Sequence, residues 1–237
     1  MLLSFNPPSQ AVEIRVAAPG LVGPGLVTLE NRWNAETGNK AIVPDPVSVS
    51  KIEQQIQAGD SYDLVLLPHD DLTGIAGKLR AGSEKPVGRV VFALAVSHGA
   101  PHPDISTPAK FRAALAGKIV AYNDPALGSI GGKMVGTLLK QPAYAGVKGF
   151  PFRGPAADAV VAGKADMVVG VQSEEVIVKG VDIVGPVPDG VGLTLAISGA
   201  VLADALYPEE AAAFLTYLTR PQSATVWEPT GIAMIRP

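Results

Sequence analysis

Tyr62-Asp63-Leu64-Val65-Leu66-Leu67, stopped by Pro68, is the stretch that decides the fold. A strand with one wet face alternates, whereas this run is aliphatic on consecutive residues, as in a strand covered on both faces. Just upstream, Ser48-Val49-Ser50 leads into a helical stretch from Lys51 to Ala58 that Gly59 closes. A serine at such a start caps the helix by accepting a backbone N–H. Further back, Ala41-Ile42-Val43 reads as a short strand ending at Pro44-Asp45-Pro46. Before it, Leu26, Leu29 and Trp33 share one face of a helix with Gly38 as its C-cap. A Gly/Pro break from Pro19-Gly20 to Gly25 separates that helix from the first strand, Val12 to Ala18. The β-α-β-α-β order calls for a parallel sheet with right-handed crossovers.

Beyond Pro68 the pattern continues. Arg89 to Val96 is a longer apolar strand, Thr107-Pro108 opens a helix through Leu115, and a strand restarts at Lys118 to Tyr122. A Gly-rich turn from Asn123 to Gly132 leads into helix Lys133 to Leu139. Helix Pro155 to Ala162 and strands Ala165 to Val171, Val181 to Val184 and Leu193 to Ile197 follow. Helices Pro208 to Leu218 and Pro221 to about Trp227 make the tail, Pro208 suiting a first helical position. Two β-α units of similar size without a Ser/Gly-rich linker imply a chain that crosses between lobes on extended segments. The expected division is residues 1–96 plus 196–237 in lobe one and an inserted 97–195 in lobe two, with hinges at 89–96 and 193–197.

Composition narrows the function classes. The chain has 237 residues, 47% hydrophobic and only 17% charged, which suits aliphatic strands covered by helices. A net charge of −3 with no run of three basic residues argues against a nucleic-acid partner. The absence of cysteine removes disulfides, thiolate catalysis and Cys-based zinc sites. No stretch reaches the roughly 18 apolar residues a membrane helix needs. The start, Met1-Leu2-Leu3-Ser4-Phe5-Asn6-Pro7-Pro8, lacks a basic residue and its apolar run stops at once, unlike a leader. The chain is therefore expected in the cytoplasm as written, or in the periplasm as the mature part of an exported precursor.

Several segments in order carry a resemblance. Ala17-Ala18-Pro19, Gln55-Ile56-Gln57-Ala58-Gly59 with Tyr62-Asp63-Leu64-Val65, and Asn123-Asp124-Pro125 with Gly131 are among them. So are Val161-Ala162-Gly163-Lys164-Ala165-Asp166-Met167-Val168-Val169, Ala213-Phe214-Leu215-Thr216-Tyr217-Leu218 and Pro221-Gln222-Ser223-Ala224 to Gly231-Ile232. From about residue 12 onward the chain resembles the molybdate-binding-protein-like branch of the type II periplasmic solute-binding proteins. That resemblance implies an α/β fold of two lobes, each a mostly parallel sheet flanked by helices, with a ligand cleft between them. It also implies an oxyanion held by hydroxyls and helix-start N–H groups, with neither metal nor countercharge. At the family's ligand positions this chain has Pro19 and Val49 where serines stand and Gln172 where a tyrosine stands. The cleft is then retained and its ligand changed. Arg153-Gly154 falls where the family places a backbone contact, and an Arg there suits a carboxylate through a two-pronged contact.

With that resemblance in view, the residues can supply an anion site, although by themselves the glycines would read as a tight turn. Helix N-termini bind anions through unpaired N–H groups. Pro19 to Gly23, Ser48 to Lys51 and Gly128-Ser129-Ile130-Gly131-Gly132 are three loop-to-helix junctions able to converge. Together with the positions that the resemblance implies, the ligand set expected is Pro19, Gly20, Ser48, Val49, Ser50, Ser129, Ile130, Gly131, Arg153, Gly154 and Gln172. Gly128–Lys133 is no P-loop, since Leu127 and Met134 replace the required glycine and hydroxyl. His69, just past a strand's C-terminal end, is the acid–base candidate. His98 and His102 flank a Pro-rich loop and give no metal spacing. The acidic pairs Asp70-Asp71, Glu174-Glu175 and Glu209-Glu210 read as solvated or helix-start charges. No cofactor is expected.

The leading expectation is a monomeric binding protein that closes over a small anionic ligand and hands it to an ABC-transporter permease. The alternative is an isomerase of a small unsaturated polycarboxylate, aconitate being the case to test, on the same fold.

Overall fold

In the computed structural model, which describes residues 11–44 and 47–235, the deciding stretch is β3, Leu64–Pro68, with every residue buried. It runs parallel to β1, Glu13–Ala17, with Val16 beside Leu64 and Ala17 beside Val65. On the other flank of β1 lies β2, Lys40–Ile42, also parallel. Helix α1, Gly23–Thr37, buries Leu26, Leu29 and Trp33 and ends at Gly38, whose φ of +75° is left-handed. Helix α2, Val49–Ala58, begins at the expected serine cap, Ser48. The start Met1–Gln10, and Asp45 and Pro46 at the expected end of the second strand, lie outside the described residues.

Three more strands complete a six-stranded sheet: β4, Lys85–Val90; β10, Ala196–Val201; and β11, Ile232–Met234, in the order β11-β4-β10-β3-β1-β2. A second sheet holds β5, Phe92–Ser97; β6, Ile119–Asn123; β7, Lys148–Phe152; β8, Met167–Val171; and β9, Val181–Pro186, ordered β7-β6-β8-β5-β9. The two-lobed α/β fold is therefore present, with one correction: both sheets are mixed rather than mostly parallel. The β1–β2, β1–β3, β6–β7 and β6–β8 pairs are parallel. The pairs made by β4, β5, β9, β10 and β11 are antiparallel. Parallel pairs come from the βαβ units that periodicity exposes. The antiparallel ones come from strands that carry the chain between the sheets or close its tail.

The crossing itself differs from a single long strand over 89–96. β4 ends at Val90, β5 starts at Phe92, and each belongs to a different sheet. At the break, the Val91 N–H donates to Gly231 O at 2.8 Å, and the Val91 carbonyl accepts from Gln172 N at 2.8 Å. The return segment runs beside it: Val187 N donates to Phe92 O at 2.7 Å and Val90 N to Leu195 O at 2.8 Å. Leu193-Thr194-Leu195 thus belongs to this crossover, and the strand expected there begins only at Ala196.

Helices α5, Ile130–Leu139, α6, Ala157–Val161, and α7, Gln172–Glu175, pack on the second sheet; α4, Pro108–Leu115, is capped by Thr107. Helices α3, His69–Gly74, α8, Pro208–Thr219, and α9, Ala224–Trp227, lie against the first. Trp33 of α1 meets Phe214 of α8 with ring centroids 5.0 Å apart. The buried Asp63 is satisfied twice, accepting from Arg15 N at 2.8 Å and Tyr207 N at 3.0 Å, as a buried carboxylate must be. No helix among the described residues is long and apolar enough to cross a membrane.

Candidate functional site: a cleft of helix starts

Three junctions build the site, each at the C-terminal end of a parallel strand or alongside one, the edge where α/β sheets receive ligands. Pro19 follows β1 and opens a 3-10 turn, Gly20–Val22, that runs into α1. A parallel bridge between Pro19 and Val47 holds that loop beside the approach to α2. At α2 the Ser48 hydroxyl accepts from Lys51 N at 3.3 Å; at α5 the Ser129 hydroxyl accepts from Gly132 N at 3.0 Å. The first backbone acceptances are Val22 N to Pro19 O, Lys51 N to Ser48 O and Lys133 N to Ser129 O. The N–H groups of Gly20, Leu21, Val49, Ser50, Ile130 and Gly131 precede those bonds, so they carry each helix's unspent donor capacity and positive end.

Close packing explains the glycines of α5. A Cβ on Gly132 would collide with the Asn123 carbonyl at the end of β6. One on Gly131 would come 2.8 Å from Val171 Cγ2 at the end of β8. Gly128, at φ +82°, brings the loop against the other lobe, where a Cβ would lie 3.1 Å from that of Ser48. The lobes are also tied by Ser173 of α7, whose buried hydroxyl donates to Leu21 O at 2.6 Å.

Together these junctions enclose a cleft of about 240 Å³. Of the residues expected at the site, Pro19, Gly20, Ser48, Val49, Ser129, Ile130 and Gly131 line it. Ser50 stands behind them, its hydroxyl 3.2 Å from that of Ser48. A hydroxyl that caps a helix as acceptor still has its own hydrogen to donate, so Ser48 and Ser129 can serve helix and ligand together. The rest of the wall is Leu21, Val47, Asn123, Leu127, Gly128, Val171 and Glu174. Among the described residues no Lys, Arg or His lines it.

Other candidates stand elsewhere. Arg153 and Gly154 are exposed in the turn after β7, Gly154 at φ +111°, and neither lines the cleft. Gln172 opens α7 with its N–H on the Val91 carbonyl and its Cβ beside Gly231, at the crossover rather than in the wall. His69 opens α3, exposed, with Nδ1 2.7 Å from the Glu84 carboxylate.

Of the pair read as solvated or helix-start charges, both residues stand in the first turn of α7, but neither is solvent-exposed. Glu174 lies in the cleft wall, and its Oε2 accepts from Asn123 Nδ2 at 2.7 Å. The Asn123 Oδ1 accepts from Ala156 N at 3.1 Å, which fixes the amide with its NH₂ towards Glu174. Burial pushes the Glu174 carboxyl above the usual range, and the Asn123 bond opposes this in part. Glu175 points the other way, over Gly170, and is 1% exposed. Both its oxygens are buried without a hydrogen-bond partner. Burial first, then the nearby Glu174 and Asp158, push it up to about 8. The sequence carries a signal for it: the pair lies within four residues of the C-terminal end of a fully buried strand, the edge where ligands sit.

Comparison with known proteins fits this arrangement. Aconitate isomerase of a Pseudomonas species is 30% identical over 185 residues, covering 76% of this chain and 71% of that enzyme. The periplasmic molybdate-binding protein of Azotobacter vinelandii superposes with a TM-score of 0.71 at 14% identity, over 94% of this chain and 100% of that one. A sulfate-binding protein of Mycobacterium tuberculosis does so at 0.71 and 19% identity, over 95% and 88%. At such identities the two structures speak for the fold alone. A family match over residues 14–233 spans both sheets and every wall of the cleft, and by it the chain belongs to the bacterial extracellular solute-binding proteins.

Proposed function

We propose that the chain binds a small organic carboxylate between its lobes. The observation that carries this reading is the convergence of three sets of first-turn N–H groups and the Ser48 and Ser129 hydroxyls on one cleft that has no basic side chain among the described residues. Such a site stabilises negative charge through dipoles, as at other helix starts. The apolar walls, Leu21, Val47, Val49, Leu127, Ile130 and Val171, favour a ligand with a hydrocarbon skeleton over a bare oxyanion. At about 240 Å³ the cleft lies below the roughly 300–1,000 Å³ typical of drug-sized ligands. Ligands of a few carbons fit that scale.

We place the lobe boundary at Val91 going out and within 187–195 coming back, where the crossovers lie side by side and can act as a hinge. On this reading the chain works as a monomer outside the cytoplasm and presents its closed form to an ABC-transporter permease. Calorimetry against acetate, succinate, cis-aconitate, sulfate and molybdate tests it. A carboxylate should bind at one site more tightly than either oxyanion. Binding of molybdate or sulfate alone would overturn the choice of ligand.

One observation favours a second reading. The Pseudomonas relative is an aconitate isomerase, and Glu174 puts a proton-accepting group in the wall. Moving a double bond along a carbon skeleton needs one group to take an allylic proton and return it at the other end. Incubation with cis-aconitate, followed for the trans isomer, decides this: no turnover removes it.

A further inference from the structure

We propose that the cleft selects acids with more than one carboxyl group: the helix-start N–H groups hold one, and a second shares a single proton with Glu174. This deepens the carboxylate reading and rests on it. Glu174 cannot turn aside, because Asn123 holds its Oε2 at 2.7 Å and Ala156 N in turn pins Asn123. Among the described residues no cation in the wall would neutralise a second carboxylate brought against it. The charged groups around Glu174 do not supply one. Glu175 and Asp158 are acids, Lys133 of α5 acts on Asp71 of α3, and Lys51 sits in the first turn of α2 outside the wall. Two carboxyl groups that share a site retain one proton between them, since both cannot ionise together. The desolvation that already favours the protonated form of Glu174 assists.

The balance is simple. Above the range where free Glu174 holds its proton, binding takes one proton from solvent and places it between the Glu174 and ligand carboxylates. The only bond made is the O–H bond of that shared proton, the one broken is in the solvent or buffer acid that gives it up, and no bond to carbon changes.

The test is calorimetry of the whole chain with propane-1,2,3-tricarboxylate, which has no double bond to move, in two buffers of different ionisation enthalpy near pH 8. The expected result is an uptake approaching one proton per ligand bound and a Kd that rises about tenfold per pH unit. Glu174→Gln, checked for wild-type Tm, should bind with no uptake and a flat pH profile, because its amide donates permanently. Binding by the wild type without proton uptake would overturn the proposal, whether or not the variant folds. So would a Glu174→Gln chain that takes up protons as the wild type does. Failure of the underlying reading looks different: no carboxylate gives heat at any pH, and both fall.

Discussion

Replacing Glu175 by Gln should make the protein more stable in mild alkali than it is now. The side chain is 1% exposed, lies over Gly170, and has neither oxygen hydrogen-bonded. A rise from the ordinary 4.5 to about 8 means that the folded state keeps a proton the unfolded chain has lost. The sign follows from linkage. Stability is undiminished below 4.5, falls as pH rises through the window, and levels off above about 8. At about 1.4 kcal/mol per unit, the two limits differ by on the order of 5 kcal/mol. Gln cannot ionise, so it escapes that loss, but it places an unpaired amide where a neutral carboxyl sat, at a cost of about 1–3 kcal/mol. Urea unfolding at intervals between pH 5 and 9 measures both. Other titrating groups cancel in the difference between variant and wild type. Near pH 5 the variant should be the less stable chain; the curves should cross, and near pH 9 the variant should lead. A difference that stays flat across the range would refute the argument, because Glu175 would then titrate alike in both states.

Three further substitutions probe the cleft. Gly132→Ala puts a methyl group into the Asn123 carbonyl, so overpacking of about 1–3 kcal/mol should lower Tm by several degrees; an unchanged melt would contradict the close approach. Ser129→Ala loses the cap on Gly132 N and a cleft hydroxyl together, and should cost about 1 kcal/mol in urea and about five- to tenfold in ligand Kd by calorimetry. Arg153→Ala should leave Kd within about twofold, because the side chain does not line the cleft; a loss of tenfold or more would bring the guanidinium to the ligand.

The comparison of sequence with structure is uneven, for physical reasons. The βαβ unit from Val12 to Leu67 was legible because burial on both faces writes an unbroken aliphatic run and glycine marks left-handed helix ends such as Gly38 and Gly59. The break at Val91 was not. Both halves of Arg89–Val96 are apolar, and periodicity says nothing about one residue at which a backbone leaves one sheet for another. Helix starts at Ser48 and Ser129 could be read from cap chemistry, and both caps form where they were expected and line the cleft. Glu174 and Glu175 do open a helix, but their burial was not legible, because acidic neighbours in a short helix look alike whether wet or buried. Only the third dimension shows that α7 lies against β5, β8 and the turn after β1. Gln172 and Arg153 were positioned by resemblance alone, and neither lines the cleft.

The central claim is that a carboxylate sits among three helix starts. A crystal structure with the tightest-binding acid from the calorimetric panel tests it most directly. The account predicts carboxylate oxygens within hydrogen-bonding distance of backbone N–H groups among Gly20, Leu21, Val49, Ile130 and Gly131, and of the Ser48 or Ser129 hydroxyl. A ligand found at Arg153 or on the His69–Glu84 pair, with those N–H groups facing only water, would contradict it.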